Sequence, residues 1–321
     1  MRKLAILVVL LCTLMFCCIA QETENKIKIF HAGSLSVPIS ELSREFQKKY
    51  GVDVFLESSG SIEAVRKVTD LKKSVDIIAV ADYFLIPQML IPNYTDFYIL
   101  FAGNEMVIAF SGKSKYSEII NETNWFEILQ RDDVTFGFSD PNMDPCGYRA
   151  LAVLKLADLY YKKSIFEMLV ERNSNIRSSN NTIFVPEKVE SNSKIVLRPK
   201  EVELTALVET GALDYYFIYK SVAKQHNLSF VELPAEINLG NYELIDYYSK
   251  VDVYIRNESF KIQPIAYAVT ILKNSQNKNL AIEYLNFMLS DEGRKIFKDN
   301  FHELLDPPVI VGIPPDGLVI R

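Results

Sequence analysis

The 321-residue chain is predicted to fold as an α/β protein with two lobes, and two features of the sequence support this prediction. Strand-like segments alternate with helical segments along most of the chain, which is typical of a sheet covered by helices with right-handed crossovers. About 300 residues follow the N-terminal leader, and 49% of the chain is hydrophobic, which is enough for two well-buried cores.

The first predicted unit is a strand followed by a helix. Residues 26–32, KIKIFHA, alternate like a strand, and Ile39, Leu42, Phe46 and Tyr50 then recur at helical spacing. The segments VDVFLES and IEAVRKVTDL repeat this order. The continuous apolar run VDIIAVA is typical of a buried parallel strand.

The pattern restarts further along the chain and predicts a second lobe. The segment VTFGFSD is predicted as a strand and residues 146–172 as one long helix, while the polar residues 173–194 are expected to form a surface loop or hairpin. Residues 277–300 are predicted to be one amphipathic helix. We assign residues 26–104 and 264–321 to the first lobe and 105–263 to the second, with two chain crossings between them.

The N-terminus predicts export. Residues 1–20 combine the basic residues Arg2 and Lys3, an apolar run and a small residue at the end of that run, which is the pattern of a secretory signal. An uncleaved membrane anchor and lipid attachment at Cys17 or Cys18 remain alternatives, and each leaves the rest of the chain outside the cytoplasm. Only Cys146 lies beyond the leader, so no intramolecular disulfide is expected.

Charge and motifs exclude several functions. Loss of the leader changes the formal net charge from −6 to −8, which argues against binding to nucleic acid or to anionic lipid. The sequence has three histidines, far apart, and no Walker, G-x-S-x-G or H-E-x-x-H motif. Imidazole catalysis, histidine-rich metal sites and a consumed cofactor are therefore not expected.

Small hydroxyl residues recur where a predicted strand meets a helix. Ser34 follows the first strand, and Ser58, Ser59 and Ser61 follow the second. Helix N-termini carry unpaired N–H groups and partial positive charge, so such serines could receive an oxyanion. The alternative is that each serine is only a helix cap. The segment FSDPNMDPCGYRA, residues 138–150, adds a third such junction, and ligands of open α/β sheets gather at strand carboxyl ends.

Three segments carry a more specific resemblance. Residues 26–68, the segment FSDPNMDPCGYRA and the segment LVETGALDYYFIYKSVA resemble solute-binding proteins of molybdate and tungstate ABC importers, especially the archaeal branch. The resemblance extends over nearly the whole mature chain. It implies a type II periplasmic-binding fold, two lobes joined by a two-strand hinge, and oxyanion binding without catalysis. It also implies oxyanion contacts from five residues: Ser34 and Ser59 of the first lobe, the backbone N–H groups of Cys146 and Glu201, and the hydroxyl of Tyr219.

The same resemblance implies that two carboxylates bind the metal atom of the oxyanion, and the matching positions are Asp144 and Glu209. Mo(VI) and W(VI) are hard centres that accept additional oxygen ligands, whereas sulfur in sulfate and phosphorus in phosphate do not. The alternatives are a helix cap for Asp144, a solvated helix position for Glu209 and core packing for Tyr219.

The predicted function is therefore an extracytoplasmic, monomeric receptor that transfers tungstate or molybdate to a membrane permease and its ATPase. One alternative is a ferric-ion receptor of the same fold, since tyrosine pairs begin at Tyr160, Tyr215 and Tyr247. Another is a secreted hydrolase that uses Asp144 and Glu209 as an acid and base pair.

Overall fold

A computed structural model describes residues 25–319. The leader predicted over residues 1–20, including Cys17 and Cys18, lies outside the described residues. Among the residues that are described, no helix combines the length and the apolar character needed to span a bilayer.

Strands and helices alternate through most of the described chain. The strands are β1 (Lys26–Ala32), β2 (Asp53–Ser59), β3 (Ile77–Val80), β4 (Phe97–Gly103), β5 (Met106–Phe110), β6 (Phe136–Ser139), β7 (Arg177–Ser179), β8 (Thr182–Val185), β9 (Ile195–Arg198), β10 (Tyr215–Tyr219), β11 (Ser229–Glu232), β12 (Asp252–Ile255), β13 (Glu258–Lys261), β14 (Ala266–Ile271) and β15 (Glu303–Gly312). The α-helices are α1 (Ser36–Tyr50), α2 (Ser61–Thr69), α3 (Leu85–Met89), α4 (Trp125–Gln130), α5 (Pro145–Tyr161), α6 (Val202–Thr210), α7 (Lys220–Gln225), α8 (Ala235–Asn238), α9 (Ile245–Tyr248), α10 (Lys278–Leu289) and α11 (Asp291–Asp299).

The first lobe is built on a mixed sheet of six strands in the order β15-β4-β14-β3-β1-β2. β1 pairs in parallel with β2 and β3, and β14 returns antiparallel between β3 and β4. All four residues of β3 are buried, as its continuous apolar run predicts. The carboxyl ends of β1 and β2 therefore point to the same edge of this sheet.

The second lobe is built on a five-stranded sheet in the order β11-β5-β10-β6-β9. β6 pairs in parallel with β9 and β10, so the carboxyl ends of these three strands also share one edge. A smaller sheet in the order β13-β12-β8-β7 completes this lobe. The chain passes from the first sheet to the second between β4 and β5 and returns before β14.

Two predicted helices differ in the structure, and one sheet was not predicted. The helix predicted over residues 146–172 ends at Tyr161, because Lys162 adopts a left-handed conformation with φ of 55°, and a short π-helix follows at Glu167–Glu171. The C-terminal helix is divided at Ser290, whose Oγ accepts a hydrogen bond from the backbone N–H of Gly293. The polar residues 173–194 contain a hairpin, β7–β8, as one of the two expected alternatives, and it pairs into a third sheet that was not predicted.

Gly147 allows the first turn of α5 to lie directly against the end of β6. A Cβ at this position would lie 2.1 Å from the carbonyl oxygen of Ser139 and 2.8 Å from the backbone nitrogen of Pro141. These distances are far inside van der Waals contact, so the position of the α5 N-terminus depends on the absence of a side chain.

We expect Gly147→Ala to lower the free energy of unfolding by about 1–3 kcal/mol, the usual cost of overpacking a buried site. Urea denaturation measures this loss. Gly112→Ala is the matched control, because a Cβ at Gly112 meets no atom within 4 Å. Equal stability of the two variants would contradict the proposed close contact.

Candidate functional site

Five of the predicted site residues gather where the strand ends of the two lobes face each other. Ser34 and Ser59 lie at the ends of β1 and β2, while Asp144, Glu201 and Tyr219 lie at the ends of β6, β9 and β10. All five are buried, with at most 3% of their surface exposed. The topology thus brings together hydroxyl and carboxyl groups from distant parts of the sequence.

Asp144 is the N-terminal cap of α5. Its Oδ1 accepts a hydrogen bond from the backbone N–H of Cys146 at 3.3 Å, and its Oδ2 accepts one from the backbone N–H of Glu201 at 3.0 Å. The cap interpretation of Asp144 is therefore correct. The two N–H groups that the resemblance assigned to the oxyanion donate instead to the Asp144 carboxylate in this structure.

Glu201 places a second carboxylate beside the first. Its side chain reaches Gly33 of the first lobe, where a Cβ would lie only 3.0 and 3.1 Å from the two carboxyl oxygens. Oε2 is buried and has no hydrogen-bond partner. Burial, and then the neighbouring charge of Asp144, raise the pKa of Glu201 well above its ordinary value.

Glu209 is not part of this group, and its assignment as the partner of Asp144 is therefore wrong for this structure. Glu201 precedes the first turn of α6, whereas Glu209 lies at its other end, about 12 Å further along at roughly 1.5 Å per residue. The Glu209 side chain is 45% exposed and contacts His226 Nδ1 at 3.1 Å. The acid that faces Asp144 is Glu201, which the family resemblance implied only as a backbone donor.

The hydroxyl groups of the site differ in their partners. Ser59 Oγ is buried without a hydrogen-bond partner. Ser34 Oγ accepts from the hydroxyl of Tyr267 at 3.2 Å, and the hydroxyl of Tyr219 accepts from Arg149 at 2.8 Å. The alternative that Tyr219 packs in the core is correct for its ring, which is buried within β10.

The two lobes touch each other around the site. The guanidinium of Arg149 donates to the carbonyl oxygen of Ala81 at 2.7 Å and lies 3.5 Å from Asp82. The hydroxyl of Tyr148 also donates to Asp82. Because Arg149 and Tyr148 lie in the second lobe and Ala81 and Asp82 in the first, these contacts hold the cleft closed. No pattern in the sequence selects Arg149, which becomes notable only through its burial.

The alternative functions find little support in this geometry. Of the tyrosines in these pairs, Tyr160 is exposed and Tyr215 donates to the carbonyl oxygen of Lys115. An acid and base pair formed by Asp144 and Glu209 is also not supported, because Glu209 is exposed at the other end of α6.

Two α/β lobes that close over a buried cleft lined by hydroxyl and carboxyl groups define a two-lobed solute receptor. Comparison with solved structures shows the same fold. The periplasmic molybdate-binding protein of Azotobacter vinelandii has a TM-score of 0.58 at 17% identity, covering 87% of this chain and 99% of that protein. The sulfate-binding protein SubI of Mycobacterium tuberculosis has a TM-score of 0.60 at 15% identity, covering 88% of both chains. Both likenesses establish the fold.

Sequence comparison identifies the family. Residues 27–302 match the model of the bacterial extracellular solute-binding protein family. The molybdate/tungstate-binding protein WtpA of Thermococcus kodakarensis is 52% identical over 340 residues, covering 99% of this chain and 96% of that protein. The protein of the same name from Pyrococcus abyssi is also 52% identical, covering 92% and 91%. The chain belongs to the extracellular solute-binding protein family and is a transport receptor rather than an enzyme.

The buried acid pair leads to a prediction about stability. We expect Glu201→Gln to raise the free energy of unfolding of the ligand-free protein at pH 7 by about 1–3 kcal/mol, the usual cost of a buried polar group that lacks its partner. A glutamine amide carries no charge and can donate to Asp144. Chemical denaturation of this variant, with Glu209→Gln as the control, measures the difference.

The sign of the pH dependence follows from the raised pKa of Glu201. Below about pH 4.5 the carboxyl group is protonated in both the folded and the unfolded state, so the wild type loses nothing. As pH rises above that value the unfolded state releases the proton first, and the wild type becomes less stable. The advantage of Glu201→Gln should therefore grow with pH; an advantage that shrinks would contradict this description of Glu201.

Proposed function

We propose that this protein captures tungstate or molybdate in the cleft between its lobes and delivers it to the permease and ATPase of an ABC importer. The names of its relatives from Thermococcus and Pyrococcus support this ligand class. The observation that carries the proposal is the pair of adjacent carboxyl groups of Asp144 and Glu201, both buried at the strand ends.

The chemistry of a group-six oxyanion fits such a pair. Mo(VI) and W(VI) are hard, electron-poor centres that prefer oxygen ligands and can enlarge their coordination shell from four oxygens to six. Carboxylate oxygens are ligands of this hard type. Asp144 and Glu201 would each supply an oxygen to the metal, while the oxygens of the anion accept from the hydroxyls of Ser34, Ser59 and Tyr219.

The same pair discriminates against common anions. Sulfur in sulfate and phosphorus in phosphate cannot accept additional carboxylate ligands, so the acid pair would place at least one like charge, that of Asp144, beside a dianion in a desolvated cleft. Selectivity then comes from repulsion of the wrong guest as much as from attraction of the right one.

Capture would proceed by closure of the two lobes around one anion. The contacts of Arg149 with Ala81 and Asp82 support this mechanism, because they join the two lobes across the cleft. The receptor consumes no cofactor, and we propose that it acts as a monomer.

The proposed location is the outer face of the cell membrane. Membership in an extracellular solute-binding family supports export. Removal of the leader over residues 1–20, or retention through a lipidated Cys17 or Cys18, would bring the receptor to its permease.

Two matched variants test the proposed acid pair. We expect Glu201→Gln to weaken tungstate binding roughly 100-fold or more, because loss of even an outer partner of a metal ligand typically costs about 10–100-fold. Glu209→Gln should bind as the wild type does, since its side chain is solvent-exposed and contacts His226. Isothermal titration of each protein with tungstate, molybdate and sulfate makes the measurement.

The outcomes separate the two acids. Loss of tungstate binding in Glu209→Gln but not in Glu201→Gln would support Glu209, the acid predicted from the sequence. It would contradict the assignment of Glu201, which comes from the structure. Binding of sulfate by the wild type as tightly as tungstate would contradict the proposed ligand class.

A further inference from the structure

A buried amide lies at the point where the chain crosses from the first lobe to the second. Asn104 follows β4 directly, and only 4% of its surface is exposed. Its Oδ1 accepts from the backbone N–H groups of Glu105 at 3.0 Å and Ser221 at 3.4 Å. Two donors on the oxygen fix the orientation of the amide, so its NH2 group must point the other way.

The NH2 group of Asn104 points at two hydroxyls. It donates to Tyr267 Oη at 3.0 Å and to Ser221 Oγ at 2.7 Å. An amide nitrogen donates and never accepts. The hydroxyl of Tyr267 is therefore an acceptor on the side of Asn104, and its own proton must point elsewhere.

That proton has an acceptor in the cleft. Tyr267 Oη lies 3.2 Å from Ser34 Oγ, and both side chains are buried. Burial also raises the pKa of Tyr267, so its hydroxyl keeps the proton at physiological pH. Within the described residues Tyr267 is the one hydrogen-bond partner of Ser34 Oγ. The proton of Ser34 is thus free to point toward a ligand.

We propose that Asn104 is a positioning residue, which acts through Tyr267 to fix the hydroxyl of Ser34 as a donor toward the bound oxyanion. This inference rests on the proposed function, because it requires an oxyanion at Ser34. The same direction of donation occurs in the second lobe. There the guanidinium of Arg149, which can only donate, donates to the hydroxyl of Tyr219 at 2.8 Å.

The consequence is a rule for the ligand. A hydroxyl held as a donor favours an anion oxygen that accepts, as every oxygen of fully deprotonated tungstate or molybdate does. An O–H group of the anion that faced Ser34 would place donor against donor. The hydrogen-bond chain behind the site thus contributes to specificity without contacting the ligand.

The test is to reverse the direction of the hydrogen bonds that run from Asn104 through Tyr267 to Ser34. Asn104→Asp keeps the shape of the side chain and the acceptor for Glu105 and Ser221, but it replaces the NH2 group by a second acceptor. Tyr267 would then donate to the introduced carboxylate and accept from Ser34, which withdraws the Ser34 proton from the ligand. We expect tungstate affinity to fall about tenfold, the order of magnitude of a hydrogen bond to a charged group.

A double-mutant cycle with Ser34→Ala separates this effect from the added charge, since isothermal titration with tungstate can be made on all four proteins. If Asn104 acts through Ser34, Asn104→Asp will cause little further loss in the Ser34→Ala background. An equal loss in both backgrounds would show an effect of charge or folding and overturn the proposal. Unchanged affinity in Asn104→Asp alone would also overturn it.

Tyr267→Phe provides a second variant if Asn104→Asp does not fold. It removes the hydroxyl between Asn104 and Ser34, and we expect a several-fold loss of tungstate affinity that disappears in the Ser34→Ala background. Affinity equal to that of the wild type would reject the proposal. If the wild-type protein itself binds neither tungstate nor molybdate, the proposed function fails, independently of these variants.

Discussion

The cleft is organised by the close approach of two like carboxyl groups, Asp144 and Glu201, inside a site closed to solvent. The protein moderates the charge of Asp144 with two backbone N–H donors, those of Cys146 and Glu201. It leaves Glu201 Oε2 without a partner. Such an arrangement lowers the stability of the folded protein. It is explained by a binding role, because a metal centre that accepts carboxylate oxygens would bind both groups together.

The two-lobed fold makes this approach possible. Parallel strands bring their carboxyl ends to one edge in each lobe, and closure then places Glu201 of the second lobe against Gly33 of the first. Gly60 lies closer still to the second lobe, since a Cβ there would be 2.4 Å from the carbonyl oxygen of Met143. At Gly60 a side chain is excluded by this close approach to the backbone of Met143 rather than by an unusual backbone conformation.

Much of the fold could be predicted from the sequence, because apolar periodicity indicates strands and helices wherever each buries one side. The third sheet could not be predicted, since β7 and β8 lie in a polar stretch and β8 pairs with β12, which is remote in sequence. Among the site residues, Glu209 was the wrong acid. Ligands gather at helix N-termini after strands, and this rule favours Glu201 before α6 over Glu209 at its end. Asn104 and Tyr267 had no signal in the sequence, because their importance lies in the direction of hydrogen bonds.

The central claim is that both acids bond directly to the metal of the captured anion. X-ray absorption at the tungsten edge of the tungstate-loaded protein tests it most directly, because the number of oxygen neighbours distinguishes an anion held by its oxygens from one whose metal has gained protein ligands. We predict six oxygen neighbours in the wild type and fewer in Glu201→Gln. A four-coordinate spectrum in the wild type, unchanged from that of free tungstate, would contradict this claim.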